Sequence, residues 1–444
     1  MRKKVFFYIT VFLLSFTASR AQLKNGLDAT ELHKAQKTLT RVIVHDIFSP
    51  PVASRIYLYA NMAAYETAIS SQDKFISLSA SIPSFPIIKK NVNSSDIQYN
   101  LAATYAFLKT ARRFVFSESV IDDSLRSLLQ DFAHLEKKRF DVSLAFGQQV
   151  ADSIIAWAEQ DQYKETRRLR RYNLVKGEGK WLPTAPGYIA AIEPNWSYIR
   201  PIVLDSASEF KPVPPPAFSI EKESVFYKQA YQVYQIGQNI SKEQKEIALF
   251  WDCNPFYLNT QGHLNFATKK LSPGGHWMSI VSIAARKKDA DLITAAAAYV
   301  FTSVALFDGF ISCWDEKYRS HLIRPETYIN AYIDEQWRPL LQTPPFPEYT
   351  SGHSVISTAA ALVLTHFFGD DFNFSDDTET EYGLPIRNFK SFKQAAEEAA
   401  ISRFYGGIHY MAAIENEQLQ GKKIGEKVLT KIRLSTEHHY ASHN

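Results

Sequence analysis

Apolar residues recur every three to four positions through most of this 444-residue chain, and this spacing constrains its fold more than any other feature. Such a period places apolar side chains along one face of an α-helix. No segment combines clean apolar–polar alternation with a hairpin turn signal, so we predict no substantial β-sheet. The sequence therefore predicts an all-α fold built from helical bundles. The clearest helical segments are residues 53–70, 97–116, 120–160, 222–236, 242–253, 276–286, 290–310, 353–368, 392–405 and 411–430.

The first 21 residues have the pattern of a signal peptide. A positive start, Arg2–Lys4, precedes a twelve-residue apolar stretch, and Ser19 and Ala21 place small side chains at the expected cleavage positions. The apolar stretch is shorter than the roughly 20 residues that span a bilayer. We predict cleavage after Ala21 and export to the periplasm or the exterior; the alternative is an uncleaved anchor. A second apolar run, 292–307, is predicted to be a buried core helix, so no stable membrane insertion is expected after cleavage.

The charge balance argues against a nucleic-acid partner. The chain has 50 Lys and Arg against 46 Asp and Glu, and all four surplus cations lie in the signal segment. Removing that segment leaves 46 against 46, which is zero net charge. A protein that binds nucleic acid through counterion release needs a basic surplus.

Behind the signal, residues 22–240 are predicted to form an N-terminal helical region and residues 241–444 a C-terminal helical bundle. Within the first region, residues 174–218 are rich in proline, tryptophan and tyrosine, which predicts an ordered irregular segment. The sequence leaves open whether Cys253 and Cys313 pair. Residues 370–381 resemble the alternation of a calcium loop but lack its glycine and its final glutamate, so a solvated acidic loop is the favoured interpretation.

Three short blocks carry the candidate chemistry. Lys317 and Arg324 are seven residues apart, which on a helix leaves them within about 20° of each other. Two cations on one face suit an anion between them; the alternative is a solvated basic face.

The second block, Ser351-Gly352-His353, follows a proline-rich stretch and precedes an apolar run. This pattern predicts a helix N-terminus, whose backbone N–H groups bind anions, with His353 placed to move a proton. A plain helix cap is the alternative.

The third block contains Arg403 and His409 on either side of Gly406-Gly407. The glycine pair interrupts the helix and lets the two side chains converge, although a simple turn between helices has the same pattern. Taken together, the three blocks supply three cations, neutral donors and two imidazoles, a set that fits one tetrahedral oxyanion such as phosphate or vanadate.

These blocks, K-x6-RP, SGH and SR-x5-H, resemble the signature shared by vanadium-dependent haloperoxidases and type-2 phosphatidic-acid-phosphatase-like acid phosphatases. More loosely, residues 48–66, the region around Trp181 and the YGGIHY stretch resemble the long bacterial haloperoxidases of the Bacteroidetes type. The resemblance implies helical bundles, a vanadate cofactor, and hydrogen peroxide and halide as substrates. It favours iodide, then bromide. The alternatives are an acid phosphatase with a phosphohistidine at His409 and a non-catalytic oxyanion-binding protein.

The resemblance also implies a role for each site residue. His409 would bind vanadium and His353 would serve as the acid–base. Lys317 would polarise the peroxide, and Trp314 and Phe346 would border the halide side. The oxyanion would be held by Lys317, Arg324, Ser351, Gly352 and Arg403.

Two positions depart from the family pattern. Thr350 replaces the usual proline, which is expected to loosen the loop modestly. Ala413 stands where many members carry an aspartate that orients the histidine, so a backbone carbonyl or another side chain must orient His409, which slightly disfavours the phosphatase. The sequence does not give the oligomeric state.

Overall fold

A computed structural model describes residues 27–261 and 264–435. The predicted signal peptide lies outside the described residues. The N-terminal half begins with α-helices joined by short turns, and its helices bury mainly aliphatic and aromatic side chains. They are α1 Thr30–His45, α2 Pro50–Ile69, α3 Tyr99–Arg112, α4 Glu118–Asp131, α5 Lys137–Ala158, α6 Tyr163–Thr166 and α7 Val225–Gln238.

The C-terminal half continues with helices, again confirming the all-α prediction for the described residues. They are α8 Lys242–Phe250, α9 Pro273–Lys287, α10 Leu292–Ser320, α11 Pro325–Tyr332, α12 Gly352–Phe368, α13 Phe392–Tyr405 and α14 Met411–Lys431. Short 3-10 helices cover Leu78–Ala80, Ser94–Asp96, Trp196–Tyr198 and Thr378–Tyr382.

The β-strands of the described residues form two small antiparallel hairpins. In the first, β1 (Leu258–Gln261) pairs with β2 (Leu264–Ala267). In the second, β3 (Phe374–Asp376) pairs with β4 (Arg387–Phe389), with Ser375 opposite Asn388. Neither hairpin forms part of a larger sheet.

Helix α10 is the central element of the fold. Asp291 caps its N-terminus by accepting from the Thr294 N–H at 2.8 Å. The helix packs against α2, α9, α12 and α14, and α2 is itself buried along its whole length. By length and composition α10 could cross a membrane, but 94% of its most apolar window is buried inside the protein. It is the core helix expected from residues 292–307.

Several element bounds differ from the sequence expectation. The stretch 120–160 forms two helices, α4 and α5, because the chain turns between Asp131 and Lys137 where no glycine or proline marks a break. Helices α1 and α11 were not predicted. Helices α2 and α10 share one hydrophobic core, so the predicted regions 22–240 and 241–444 pack together. The boundary between them at residue 240 stays a prediction.

The irregular segment 174–218 is anchored to α10. Asp308 accepts hydrogen bonds from the backbone N–H groups of Ile202 (2.8 Å), Val203 (2.8 Å) and Leu204 (3.1 Å). Trp196 is buried in the same core. The segment contains only the short 3-10 helix Trp196–Tyr198, as the proline-rich composition predicts.

The acidic segment 370–381 is only partly solvated. Asp371 and Asp377 are exposed as expected, but Asp376 and Glu379 are buried. The period-two alternation of β3 turns Asp376 inward, which corrects the interpretation of the whole segment as a solvated loop. The two cysteines are both buried and form no disulfide.

Candidate active site

Residues of the second and third blocks line one cavity between α10, α12 and the turn after α13, and the two cations of the first block contact residues of its lining. Side chains from all of these elements face the same space. The lining includes Phe310, Trp314, Phe346, Gly352, His353, Arg403 and His409, together with Asp252, Cys253 and Asn254.

Lys317 and Arg324 reach the site by a route that the sequence did not predict. Helix α10 ends at Ser320, and His321 adopts a left-handed conformation with φ of 52°. Arg324 then caps α11 instead of extending α10. The assumption that both cations lie on one helical face was wrong, because the left-handed turn redirects the chain; they are nevertheless both buried beside the same proline-rich loop.

This loop is held by the two cations through its backbone carbonyls. Lys317 Nζ donates to the carbonyls of Pro347 (2.9 Å) and Glu348 (3.0 Å), and also contacts that of Thr350. Arg324 Nε donates to the Phe346 carbonyl at 2.9 Å. Thr350, which stands in place of the usual proline, is fully buried, and the expected loosening of the loop stays a prediction.

The helix N-terminus predicted at the second block is present. Ser351 is the N-cap of α12, and its hydroxyl accepts from the N–H and the hydroxyl of Ser354. Gly352 is the first helical residue and His353 the second. The first-turn N–H groups and the positive end of the helix dipole therefore lie at the cavity wall.

The glycine pair of the third block also acts as predicted. Helix α13 ends at Tyr405, and Gly407 has φ of +75°, a conformation that favours glycine. The turn brings His409 back to the cavity, opposite Arg403. Arg403 is buried and donates to the carbonyls of Trp251 and Asp252, the latter at 3.5 Å.

Glu348 is the functional residue that the sequence interpretation missed. Its Oε1 accepts from His409 Nδ1 at 2.8 Å and from the Tyr410 N–H at 3.1 Å. Burial raises the pKa of this carboxyl to about 7, against the opposing charges of Arg324 and Lys317. The sequence feature that could have revealed Glu348 is the presence of an acidic residue inside the proline-rich loop. Because Glu348 supplies the carboxylate that Ala413 lacks, position 413 no longer distinguishes a phosphatase from a haloperoxidase.

The partners of His409 fix its tautomer. Arg324 Nη1 lies 3.0 Å from His409 Nε2, and a guanidinium can only donate, so Nε2 must accept. The ring proton is therefore on Nδ1 and is donated to Glu348. Burial, together with the charges of Arg324 and Lys317, places the pKa of His409 well below its ordinary value. In this structure the Nε2 lone pair of the neutral imidazole accepts from Arg324, and the same lone pair is the one that a metal would use in place of that hydrogen bond.

His353 presents a second neutral imidazole. One ring nitrogen is hydrogen-bonded to the Trp251 backbone, while Nε2 is buried without a hydrogen-bond partner among the residues that the structure describes. Burial and the neighbouring charge of Arg403 lower the pKa of His353 well below its ordinary value. This histidine can accept a proton from a guest in the cavity.

The charges of the site fit a tetrahedral oxyanion. Lys317, Arg324 and Arg403 are buried, and their hydrogen bonds described above go mainly to uncharged carbonyls. Arg403 Nε is, like His353 Nε2, buried without a partner within the described ranges. Burying several cations together is unfavourable unless an anion compensates them. The donor set therefore fits vanadate or phosphate.

Aromatic rings form the other wall of the cavity. The Trp314 and Phe346 ring centroids are 5.0 Å apart, and Lys317 Nζ lies 5.0 Å from the Phe346 centroid. The irregular segment fixes this wall: the Ile192 carbonyl accepts from Trp314 Nε1 at 3.2 Å, and its N–H donates to the Pro345 carbonyl at 3.1 Å. The wall is apolar but lies next to a positive charge.

Comparisons with known proteins agree with this geometry. A solved structure described as the first bacterial vanadium-dependent iodoperoxidase is 49% identical to this chain, covers 93% of it and 99% of its own length, and superposes with a TM-score of 0.88. This chain belongs to the vanadium-dependent haloperoxidases. Residues 297–437 also match the family model of the VCPO second helical-bundle domain.

More distant structures share the fold. A holo-type bacterial vanadium-dependent chloroperoxidase is 16% identical, with a TM-score of 0.67, and covers 87% of this chain and 93% of its own. The apo-type structure of a bacterial vanadium-dependent chloroperoxidase gives a TM-score of 0.66 at 16% identity, covering 86% of this chain and 94% of its own. No curated protein matches the chain. The enzyme is thus a vanadate-dependent haloperoxidase that uses hydrogen peroxide and halide.

Proposed function

We propose that this haloperoxidase is an iodide-oxidising enzyme, exported from the cell, whose vanadate is held by the three converging blocks. His353, Arg403 and His409 line one cavity. Arg324 contacts His409 Nε2, and Lys317 Nζ lies 5.0 Å from the ring centroid of Phe346 in the same lining; this arrangement supports the assignment of roles. In the sequence these residues are spread over more than ninety positions, from 317 to 409.

Each group of residues has a distinct task. His409 would bind vanadium through Nε2, with Glu348 holding the ring in the required tautomer. The vanadate oxygens would be held by Lys317, Arg324, Ser351, Gly352 and Arg403. Bound vanadate supplies Lewis-acid activation of hydrogen peroxide without changing its own oxidation state.

Proton transfer falls to His353. Its low pKa keeps the imidazole neutral at neutral pH, and its Nε2 has no protein partner within the described residues. Nε2 can therefore take a proton from incoming hydrogen peroxide, while the hydrogen bond to the Trp251 backbone keeps the ring oriented. Lys317 stabilises negative charge as it develops beside the aromatic wall.

The aromatic wall supports the choice of iodide. Trp314 and Phe346 offer ring surfaces that replace the hydration shell of a large, weakly hydrated halide more easily than that of chloride. The relative at 49% identity is described as an iodoperoxidase, which supports iodide as the first choice, with bromide as the second by proposal.

One assay series tests these assignments. Vanadate-free protein is reconstituted with orthovanadate and supplied with hydrogen peroxide and iodide, bromide or chloride, while p-nitrophenyl phosphate is tested on the vanadate-free form. We expect vanadate-dependent oxidation with the highest kcat/KM for iodide. A preference for chloride would refute the halide assignment, phosphate-ester turnover would support the phosphatase alternative, and oxyanion binding without turnover would indicate a non-catalytic protein.

Two histidine variants test the ligand. His409→Ala should abolish vanadium retention, whereas His366→Ala, which changes an exposed histidine on α12, should leave retention unchanged. Full vanadium retention by His409→Ala would remove the ligand assignment.

Export rests on the leader pattern of residues 1–21. When the whole chain is expressed with its own leader, we expect the exported protein to begin at Gln22. N-terminal sequencing of the protein from the periplasm or medium decides this, and an intact leader would indicate an anchor.

A further inference from the structure

A second cluster of metal-binding side chains lies behind the candidate vanadate site. It consists of Cys253, just after α8, His276 on α9, and Glu379 in the 3-10 helix that follows β3. All three are buried. None of them belongs to the three blocks that hold the oxyanion.

The distances between the three ligand atoms match the edges of a tetrahedral zinc site. Cys253 Sγ lies 3.5 Å from His276 Nδ1 and 3.7 Å from Glu379 Oε1, and His276 Nδ1 lies 3.2 Å from the same oxygen. Zinc bonds of about 2.3 Å to sulfur and about 2.0 Å to nitrogen and oxygen give edges of about 3.5 Å from sulfur and about 3.3 Å between nitrogen and oxygen. One cation can therefore contact all three atoms with little rearrangement.

The surroundings supply the support that a zinc histidine needs. His276 Nε2 is 2.8 Å from Asp376 Oδ2, both residues being fully buried. A carboxylate on the second nitrogen fixes the ring and leaves Nδ1 to face the metal. The Trp251 ring stacks on His276 with centroids 4.5 Å apart, which further restricts the imidazole.

The chemistry of the three donors favours zinc over harder cations. Thiolate and imidazole are poor ligands for calcium or magnesium, which prefer oxygen, and together with one carboxylate they suit a borderline-soft ion. A thiolate and a carboxylate also balance the two positive charges. Cys253 also lines the active-site cavity, so the cluster adjoins that cavity.

We propose that Cys253, His276 and Glu379 form a zinc site, with Asp376 as the positioning residue for His276. The site has a structural consequence for the neighbouring cavity. Cys253 directly follows Trp251 and Asp252, whose carbonyls accept from Arg403, and the Trp251 backbone also bonds His353. Bound zinc would thus hold residues 251–253 in place, and with them the carbonyls that orient Arg403 and His353.

Metal analysis of vanadate-free protein tests the site independently of any enzymatic activity. The protein is stripped with a chelator, dialysed against zinc and analysed by mass spectrometry of the metal. We expect about one zinc per chain and a rise of Tm on zinc addition. Cys253→Ser and Glu379→Gln should each weaken zinc binding at least about 10-fold. Cys313→Ser is the matched control, since it changes the other buried cysteine and should bind zinc as the wild type does.

Cobalt(II) substitution reports the thiolate ligand directly by absorption spectroscopy. It can be measured on the wild type, so the result does not depend on whether Cys253→Ser or Glu379→Gln folds. The chain has only two cysteines, so a sulfur-to-cobalt charge-transfer band in Cys313→Ser must arise from Cys253. We expect that band in the wild type and in Cys313→Ser. Failure of the stripped wild type to take up zinc, full zinc retention by Cys253→Ser, or a cobalt complex without the thiolate band would each overturn the proposal and leave a hydrogen-bonded thiol–histidine–carboxylate network.

Discussion

Replacing Glu348 tests how the protein prepares His409 for vanadium. In Glu348→Ala, His409 Nδ1 loses an acceptor at 2.8 Å and the Tyr410 N–H loses one at 3.1 Å. Above the Glu348 pKa of about 7 the carboxyl is charged, and a hydrogen bond to a charged group contributes about 1.5–3 kcal/mol. At about 1.4 kcal/mol per factor of ten, losing the bond to His409 should raise the vanadate Kd roughly 10- to 100-fold.

Glu348→Gln separates geometry from charge. The amide oxygen can still accept from His409 and Tyr410, and its NH2 group occupies the position of Oε2, an atom with no partner among the described residues. The charge is lost and the NH2 group has no acceptor among the described residues, but both accepted hydrogen bonds remain. We therefore expect a smaller rise in Kd than for Glu348→Ala, about 2- to 5-fold, for a cost of about 0.5–1 kcal/mol.

The assay is equilibrium dialysis of vanadate-free protein against orthovanadate, with bound vanadium measured by mass spectrometry. Glu66→Gln is the matched control, because Glu66 is a buried glutamate that accepts the Leu78 N–H at 2.7 Å and lies outside the cavity. Circular dichroism confirms that each variant is folded. A vanadate Kd for Glu348→Ala within twofold of the wild-type value would refute the reasoning.

Three further perturbations follow from the same contacts. Arg403→Ala removes a buried cation and should raise the vanadate Kd about 10- to 100-fold; a rise below threefold in the same dialysis would contradict its role. His353→Ala should lower kcat for iodide about 100-fold while changing the vanadate Kd much less, and steady-state kinetics showing unchanged kcat would argue against proton transfer at Nε2. Burial raises the pKa of Glu66 from 4.5 to about 7, so its neutral form stabilises the fold below pH 4.5 and that stability is lost as the pH rises through 7. Between pH 5 and 7 the wild type should therefore lose about 2 kcal/mol of unfolding free energy relative to Glu66→Gln, as measured by urea denaturation; parallel pH profiles would show that Glu66 does not titrate in the fold.

Local patterns in the sequence predicted most of the helices and most of the residues of the candidate site. Ser351-Gly352 after prolines marks a helix start, and Gly406-Gly407 marks a helix end, because capping and glycine conformations depend on a few adjacent residues. The argument that Lys317 and Arg324 share one helical face failed, because the helix ends at Ser320. Pro325 was the signal available there, since the residue before a proline disfavours the helical region.

The sequence by itself determined which elements form and which side chains are chemically suited to an oxyanion. Only the tertiary structure decided which groups meet across the chain. Glu348 and His409 are 61 positions apart, and His276 and Asp376 are 100 apart. Lys317 and Arg403 donate to backbone carbonyls. Every residue has such a carbonyl, so the residue type does not reveal which ones will act as acceptors. Such pairings depend on how buried helices pack and on the need to satisfy polar groups inside the core, and local spacing does not encode these conditions.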